Sequence, residues 1–278
     1  MQEHTIGSIR FLSYDRFEPF RNVTNVVTTR AGGTSAGPYK GLNLGLHVGD
    51  DAGAVLENRA LLSQTLGIEP EDLTVPGQVH GTTVTVVGAS ERGRGAVSDD
   101  GGIDGADALI TRARGVPLMV LVADCVVISL YDPRHAAIGL AHAGWKGTLG
   151  RIAERTVESM QDAFGSDPQE LFAGISPSIG KGHYEVGQEV LEAFHKEFGR
   201  SEASRFIQED MHGTCYLDLW GMNEARLLAA GLGADHIEVA EMCTACHPDL
   251  FYSYRHDQGM TGRFAGLIML HSSGSRLF

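Results

Sequence analysis

Apolar residues run almost without a break from Leu118 to Tyr131 (LMVLVADCVVISLY), with Val, Leu and Ile at most positions. A strand buried on both faces has this pattern, so the stretch is predicted as a central strand. Asp132-Pro133-Arg134-His135 follows as a turn, because proline presets φ and Asp bonds its own backbone. Ala136–Ala143 returns as a strand of small residues, and Gly144 opens the entry to a helix. If the turn is a four-residue hairpin loop, Tyr131 faces Ala136 and Cys125 faces His142. Opposed residues have Cβ atoms roughly 4.5–5.5 Å apart and share a face. A one-residue slip would send the two to opposite faces.

Strand patterns also occupy Gly7–Tyr14, Val23–Thr29, Ala106–Thr111, Leu171–Ile175, His236–Ala240 and Phe264–Leu270. Helical spacing marks Ala52–Leu66, capped by Asp50-Asp51, and then Thr148–Phe164, Glu189–Phe198 and Asp218–Ala230. Leu73–Gly88 reads as two strands parted by Pro76-Gly77, which places His80 inside a strand pattern. Three stretches lack periodicity: Thr29–Asp51, Gly88–Gly105 and Ser176–Gly187. Gly88–Gly105 is expected to be a mobile loop, with a lid and plain disorder equally consistent with its composition. Strands, helices and adjacent hairpins without repeats or a dividing linker indicate an α+β fold. Residues 1–278 are read as a single domain.

Charge narrows the partners. With 35 acidic against 22 basic residues the net charge is −13, which argues against duplex nucleic acid or an anionic membrane. A small anionic substrate needs only a local basic pocket. No apolar run approaches membrane-spanning length, and the opening MQEHTIGSIRF lacks the pattern of a signal peptide. Four cysteines without an export signal are expected as reduced thiols in the cytoplasm.

A thiol and an imidazole on one face suit a metal ion or a nucleophile–base pair. His80 is a third candidate ligand, although the spacing of His80, Cys125 and His142 matches no local zinc motif. Arg30, Lys146, Arg255 and Arg263 each lie in or beside a glycine-containing turn, and together would make a phosphate or carboxylate site. Asn43 and His47 are the other polar candidates of the first glycine-rich stretch. Cys243-Thr-Ala-Cys246-His247 is a lone C-x-x-C and reads as an uncommitted loop. His183-x-Glu185 with that later C-x-x-C is similar to the base-deaminase signature, but Met242 stands where proline should be.

Read together, TTRAGGTSAGPYKGLNLGLHVGDD with ENR, then QVHG, ADALIT, ADC, HAGWKGT, YEVG and FYSYR…TGR resemble the laccase-domain, or YfiH-type, family. That family is also called polyphenol oxidase and purine nucleoside phosphorylase. The resemblance implies a layered α-β-β-α fold and a metal held by His80, Cys125 and His142. It implies zinc-dependent phosphorolysis of adenosine, inosine, guanosine and methylthioadenosine, with adenosine deamination. Copper-dependent phenol oxidation and peptidoglycan-precursor editing are the alternative activities attached to the family, with copper as the alternative metal. On this reading Cys125 and His142 belong to the catalytic centre and Glu185 or His183 donates a proton. Arg30, Asn43, Lys146, Arg255 and Arg263 bind substrate and phosphate. This chain departs from the family at Ser176, at His183 (usually cysteine) and at His256, where a second arginine is usual. The oligomeric state is left open.

Overall fold

The computed structural model describes residues 1–271. The chain runs β1 (Gln2–Ile6), β2 (Ile9–Ser13), β3 (Val23–Thr28), α1 (Ala52–Thr65), β4 (Val84–Val86), β5 (Ala108–Thr111), β6 (Leu118–Val122), β7 (Val126–Asp132) and β8 (Ala137–Ala143). It continues as α2 (Trp145–Leu149), α3 (Ile152–Phe164), β9 (Phe172–Ile175), β10 (Glu185–Val186), α4 (Gln188–Phe198) and α5 (Arg200–Ala203). Then come β11 (Ile207–Glu209), β12 (Cys215–Leu217), α6 (Leu219–Ala229), β13 (Ile237–Val239) and β14 (Phe264–Leu270).

Two large sheets lie face to face. One has the order β1-β2-β3-β14-β6 and the other β13-β9-β7-β8-β5-β4. Between them Val27, Val120, Val122, Phe264 and Ile268 of the first meet Leu109, Val127, Tyr131, Ile138 and Leu140 of the second. Gly266 makes the approach close, since a Cβ there would lie 2.6 Å from a Val127 methyl. The outer face of the first sheet packs Val26, Met119, Leu121 and Leu267 against Leu62 and Leu66 of or just beyond α1. The outer face of the second packs Ile128, Leu130 and Ala141 against Val157 and Met160 of α3 and Met222 of α6. This is the layered α-β-β-α arrangement. A small third sheet, β10-β12-β11, stands beside it.

The central apolar run is two strands rather than one. β6 pairs with β14 in the first sheet and β7 with β8 and β9 in the second. The chain changes sheet at Ala123-Asp124-Cys125, where Asp124 takes φ 84°. Both halves are buried on both faces, so the hydrophobic pattern carries no sign of the crossing. The hairpin register also differs from expectation. Asp132 pairs with Ala137, and Val127 faces His142, because the loop is Pro133–Ala136 and not Asp132–His135. The shift is two residues, so parity is kept, and Cys125, Val127 and His142 all face the layer between the sheets.

Three further expectations change. His80 is not in a strand; it has φ 58° in an irregular segment, and only Val84–Val86 of that region is a strand. The helix predicted over Thr148–Phe164 breaks at Arg151, whose φ of 63° separates α2 from α3. Gly88–Gly105 is pinned rather than free-standing. Buried Arg59 of α1 donates to the carbonyls of Gly95 (2.6 Å) and Ala96 (2.7 Å), and the Ile103 amide bonds Val75 O.

Candidate metal centre

The sheet crossing builds the site. Asp124 has its carboxylate engaged on both sides: Oδ1 accepts from the Thr244 hydroxyl at 2.5 Å and Oδ2 from the Arg255 amide at 2.7 Å. Its carbonyl accepts from the Ile179 amide. This turn presents Cys125 at the mouth of the inter-sheet layer, diagonal to buried His142 on β8. His80 arrives from the opposite side, its ring edge-on to His142 with centroids 4.7 Å apart. One ligand atom from each of His80, Cys125 and His142 falls within 4.8 Å of the others.

Asp107 holds two of the three in place. It is fully buried, and its carboxylate accepts from the amides of Val79 (3.3 Å), His80 (3.0 Å) and Gly81 (2.6 Å). These bonds stabilise the left-handed backbone at His80, which would otherwise be strained. The same carboxylate sits 2.8 Å from His142 Nδ1. A proton on Nδ1 then donates to Asp107 and leaves Nε2 free for a metal, as carboxylate–histidine pairs do at metal sites. Gly144 lines the other side: a Cβ there would lie 3.0 Å from Cys125 Sγ, 3.4 Å from His80 Cδ2 and 3.8 Å from His142 Nε2. Two imidazoles and one thiol around a space that a single Cβ would fill fit a first-row metal ion with one open position. Gly144→Ala is expected to weaken metal affinity by about tenfold or more with the fold intact, as metal titration beside thermal melting would show.

Without metal, the thiol and imidazole act as an ion pair. Burial opposes ionisation of Cys125, but the charge and hydrogen bonds of His142 and His80 outweigh it and bring the thiol to about 6. Burial likewise opposes a charged His142, yet Cys125 and Asp107 raise it to about 9. The pair therefore exists between those values. It is lost as the pH falls through the first, where the thiolate is protonated, or rises through the second, where the imidazolium is neutralised. Alkylation of Cys125 in metal-free protein should follow an apparent pKa near the lower value, and bound metal should suppress it.

The remaining predicted residues divide. Arg263 is the predicted cation whose electrostatic partners include Cys125; its side chain is half-buried, lies 5.9 Å from the Tyr254 ring centroid and donates to the carbonyls of Thr261 and Gly262. Asn43 is fully buried and saturated, donating to Asp50 and Gly45 and accepting from the amides of Gly45 and Arg263. It positions Arg263 rather than reaching a ligand. Arg30 donates to the carbonyls of Pro248 and Lys40 and stacks 4.5 Å over Tyr252, which makes it a clasp between loops. Lys146 is exposed on α2. Arg255 donates to the carbonyls of His183 and Glu185 and lies over Tyr184.

In that segment the residue that senses Cys125 is Tyr184. Burial first, then the Cys125 and Asp124 charges, raises its hydroxyl far above the usual range. Glu185 is exposed and paired opposite Tyr216 in the small sheet. His183 joins neither residue of the hairpin pair but lies against Cys243 and Cys246. Asp107 and Asp124 were not singled out by the sequence, and Tyr184, named beside His183 and Glu185, was given no role. An acid opening the otherwise apolar strand at Asp107, and another interrupting an apolar run at Asp124, are the signals that were there to use.

Comparison with known proteins places the chain in a family. A family model described as "Multi-copper polyphenol oxidoreductase laccase" matches residues 24–271. A purine nucleoside phosphorylase of Bacteroides thetaiotaomicron is 37% identical over 262 residues, covering 94% of this chain and 97% of that one. A protein named adenosine deaminase RL5, from an unknown prokaryotic organism, is 37% identical over 242 residues, covering 86% and 91%. The crystal structure of YlmD from Geobacillus stearothermophilus superposes with a TM-score of 0.91 at 36% identity, covering 97% of this chain and 98% of that one. On this sequence match, and with the layered fold in common, the chain belongs to the laccase-domain family that includes YfiH and YlmD.

Proposed function

We propose that this chain is a zinc-dependent purine nucleoside phosphorylase, acting on adenosine, inosine, guanosine and methylthioadenosine, that also deaminates adenosine. The observation that carries the reading is the convergence of His80, Cys125 and His142 under the control of Asp107, in a chain whose similar proteins bear those two activities as names. When bound, zinc would supply Lewis-acid charge at the reacting centre.

The chain's own residues do the rest. In phosphorolysis a phosphate oxygen forms a bond to C1′ while the C1′–N9 bond breaks and the purine leaves with the electron pair. Arg263, with Arg255 and the exposed Lys146, would hold phosphate against the otherwise acidic protein. Such placement lowers the barrier by orientation and charge stabilisation. Arg30 acts indirectly, through the loops it clasps. In deamination, Tyr184 keeps its proton and can donate a hydrogen bond to the substrate, and Glu185 would have to turn inward to serve as the acid, since His183 lies against Cys243 and Cys246 instead. Four free thiols suit the reducing cytoplasm, and no helix among the described residues is long and apolar enough to cross a membrane.

The donor sets favour zinc over phenol oxidation by several coppers. Among the described residues the candidate ligands gather as two separate trios with three histidines between them, whereas dioxygen-coupled oxidation requires several coppers on many imidazoles. The deciding experiment incubates adenosine with metal-analysed protein, with and without phosphate, and separates the products. Phosphate-dependent adenine release is expected together with inosine. Neither product at high enzyme concentration, with phenol oxidation in its place, would overturn the reading.

A further inference from the structure

The C-x-x-C that the sequence left as an uncommitted loop has a partner. His183 Nδ1 lies 3.5 Å from Cys246 Sγ and 3.7 Å from Cys243 Sγ, and the three ligand atoms fall within 4.8 Å of one another. We propose that His183, Cys243 and Cys246 form a second zinc site, separate from the His80–Cys125–His142 centre.

The distances are those a tetrahedral zinc would set. With Zn–S near 2.3 Å and Zn–N near 2.0 Å, neighbouring S and N ligands on a tetrahedron lie about 3.5–3.6 Å apart. Two thiolates and an imidazole also select zinc among the common divalent ions.

The backbone is arranged for this purpose. Cys243 O accepts from the amides of Cys246 (3.2 Å) and His247 (3.2 Å), which folds the C-x-x-C into a tight turn and brings its two sulfurs together. Gly180 donates its amide to Cys243 Sγ at 3.2 Å, a bond that favours the thiolate. A side chain at Gly180 would crowd the thiol, its Cβ meeting Cys243 Cβ at 3.1 Å and Sγ at 3.3 Å. The turn carrying His183 is closed by bonds from the His183 and Tyr184 amides to Gly180 O. The two turns are then laced together, Ser178 N to Met242 O and Thr244 N to Ser178 O. Cys243 is buried while His183 and Cys246 are exposed, so an ion enters from solvent and keeps a fourth position for water. Binding requires both sulfurs as thiolates and releases their protons.

The site would act as a staple. His183 and Glu185 offer their carbonyls to Arg255, the Arg255 amide bonds Asp124, and Asp124 precedes Cys125. Zinc here fixes the segment that places Tyr184 and Arg255 beside the first centre without itself touching substrate.

The test is metal stoichiometry of the full-length protein, loaded with zinc under reducing conditions with all four thiols first shown to titrate. Wild type is expected to hold two equivalents, and Cys125→Ser and Cys246→Ser one each. Cobalt loading gives a second readout, because sulfur-to-cobalt absorption scales with the number of bound thiolates. Cys246→Ser should remove about two-thirds of it while adenosine turnover by the first centre persists at a reduced rate. His183→Ala, at an exposed position, should also lose one equivalent. One equivalent in wild type that Cys246→Ser retains in full, or wild-type stoichiometry in both Cys246→Ser and His183→Ala, would overturn the second site. Neither result bears on the first centre, whose failure would show in Cys125→Ser retaining full activity.

Discussion

Cys125→Ser is expected to lose both phosphorolysis and deamination, by on the order of a thousandfold or more, because several kcal/mol of Lewis-acid stabilisation depend on the ion held there. Serine is nearly the same size, so packing at the mouth of the inter-sheet layer changes little. What changes is the ligand: a hydroxyl does not ionise near neutrality, whereas the Cys125 thiol, placed against His142 and His80, is brought to about 6. The loss should therefore appear in kcat with bound metal reduced in parallel, and the melting temperature of the metal-free variant should stay near that of metal-free wild type. Equal loss without loss of metal would instead favour Cys125 as a nucleophile with His142 as its base. Zinc protection of the thiol from alkylation separates the two, since a nucleophile needs no metal to be shielded.

Asp107→Asn is the second large effect, and it acts at a distance from substrate. The carboxylate takes four hydrogen bonds, three from backbone amides of the His80 segment and one at His142 Nδ1. An amide has one oxygen to offer, and its NH₂ would face a backbone N–H or the His142 ring. Metal affinity should fall by roughly 10–100-fold, the usual range for loss of such a partner, and stability by about 2–3 kcal/mol for the stranded buried donors. Its pH dependence has a definite sign. Burial works against the charge, but the bonds from His142 and the amides hold the carboxyl below its ordinary range. The stabilisation is thus complete above that range and is lost as the pH falls through the depressed value. Melting curves of wild type and Asp107→Asn should differ most at neutral pH and converge in strong acid.

How far the sequence reaches can be seen at particular residues. Cys125 and His142 were placed on one face by a hairpin register that was wrong by two residues, and the conclusion survived because strand faces repeat every two. The sheet change at Asp124 was invisible, since the residues on either side are buried on both faces in both sheets and show the same unbroken apolar pattern. β1, with the polar sequence QEHTI, was missed because it is an exposed edge strand with no buried face to give it a period. The helix break at Arg151 leaves the apolar spacing on either side intact. His80 was a candidate ligand by residue type, and only the family resemblance tied it to the other two. Its left-handed backbone is imposed by Asp107, a contact across 27 positions that no local pattern encodes. Long-range hydrogen bonds of this kind also tie Asn43 to Arg263 and Arg30 to the loop at Pro248, contacts that no local pattern announces.

The most direct test of the central claim is reconstitution. Protein stripped of metal and shown to be folded is titrated with zinc while adenosine phosphorolysis and bound metal are followed together, in wild type and in Cys246→Ser. In Cys246→Ser, whose remaining site is His80, Cys125 and His142, activity should rise in proportion to the bound ion and reach a plateau at one equivalent. Full activity before any zinc is added, or zinc bound at that site with no gain in rate, would contradict the account.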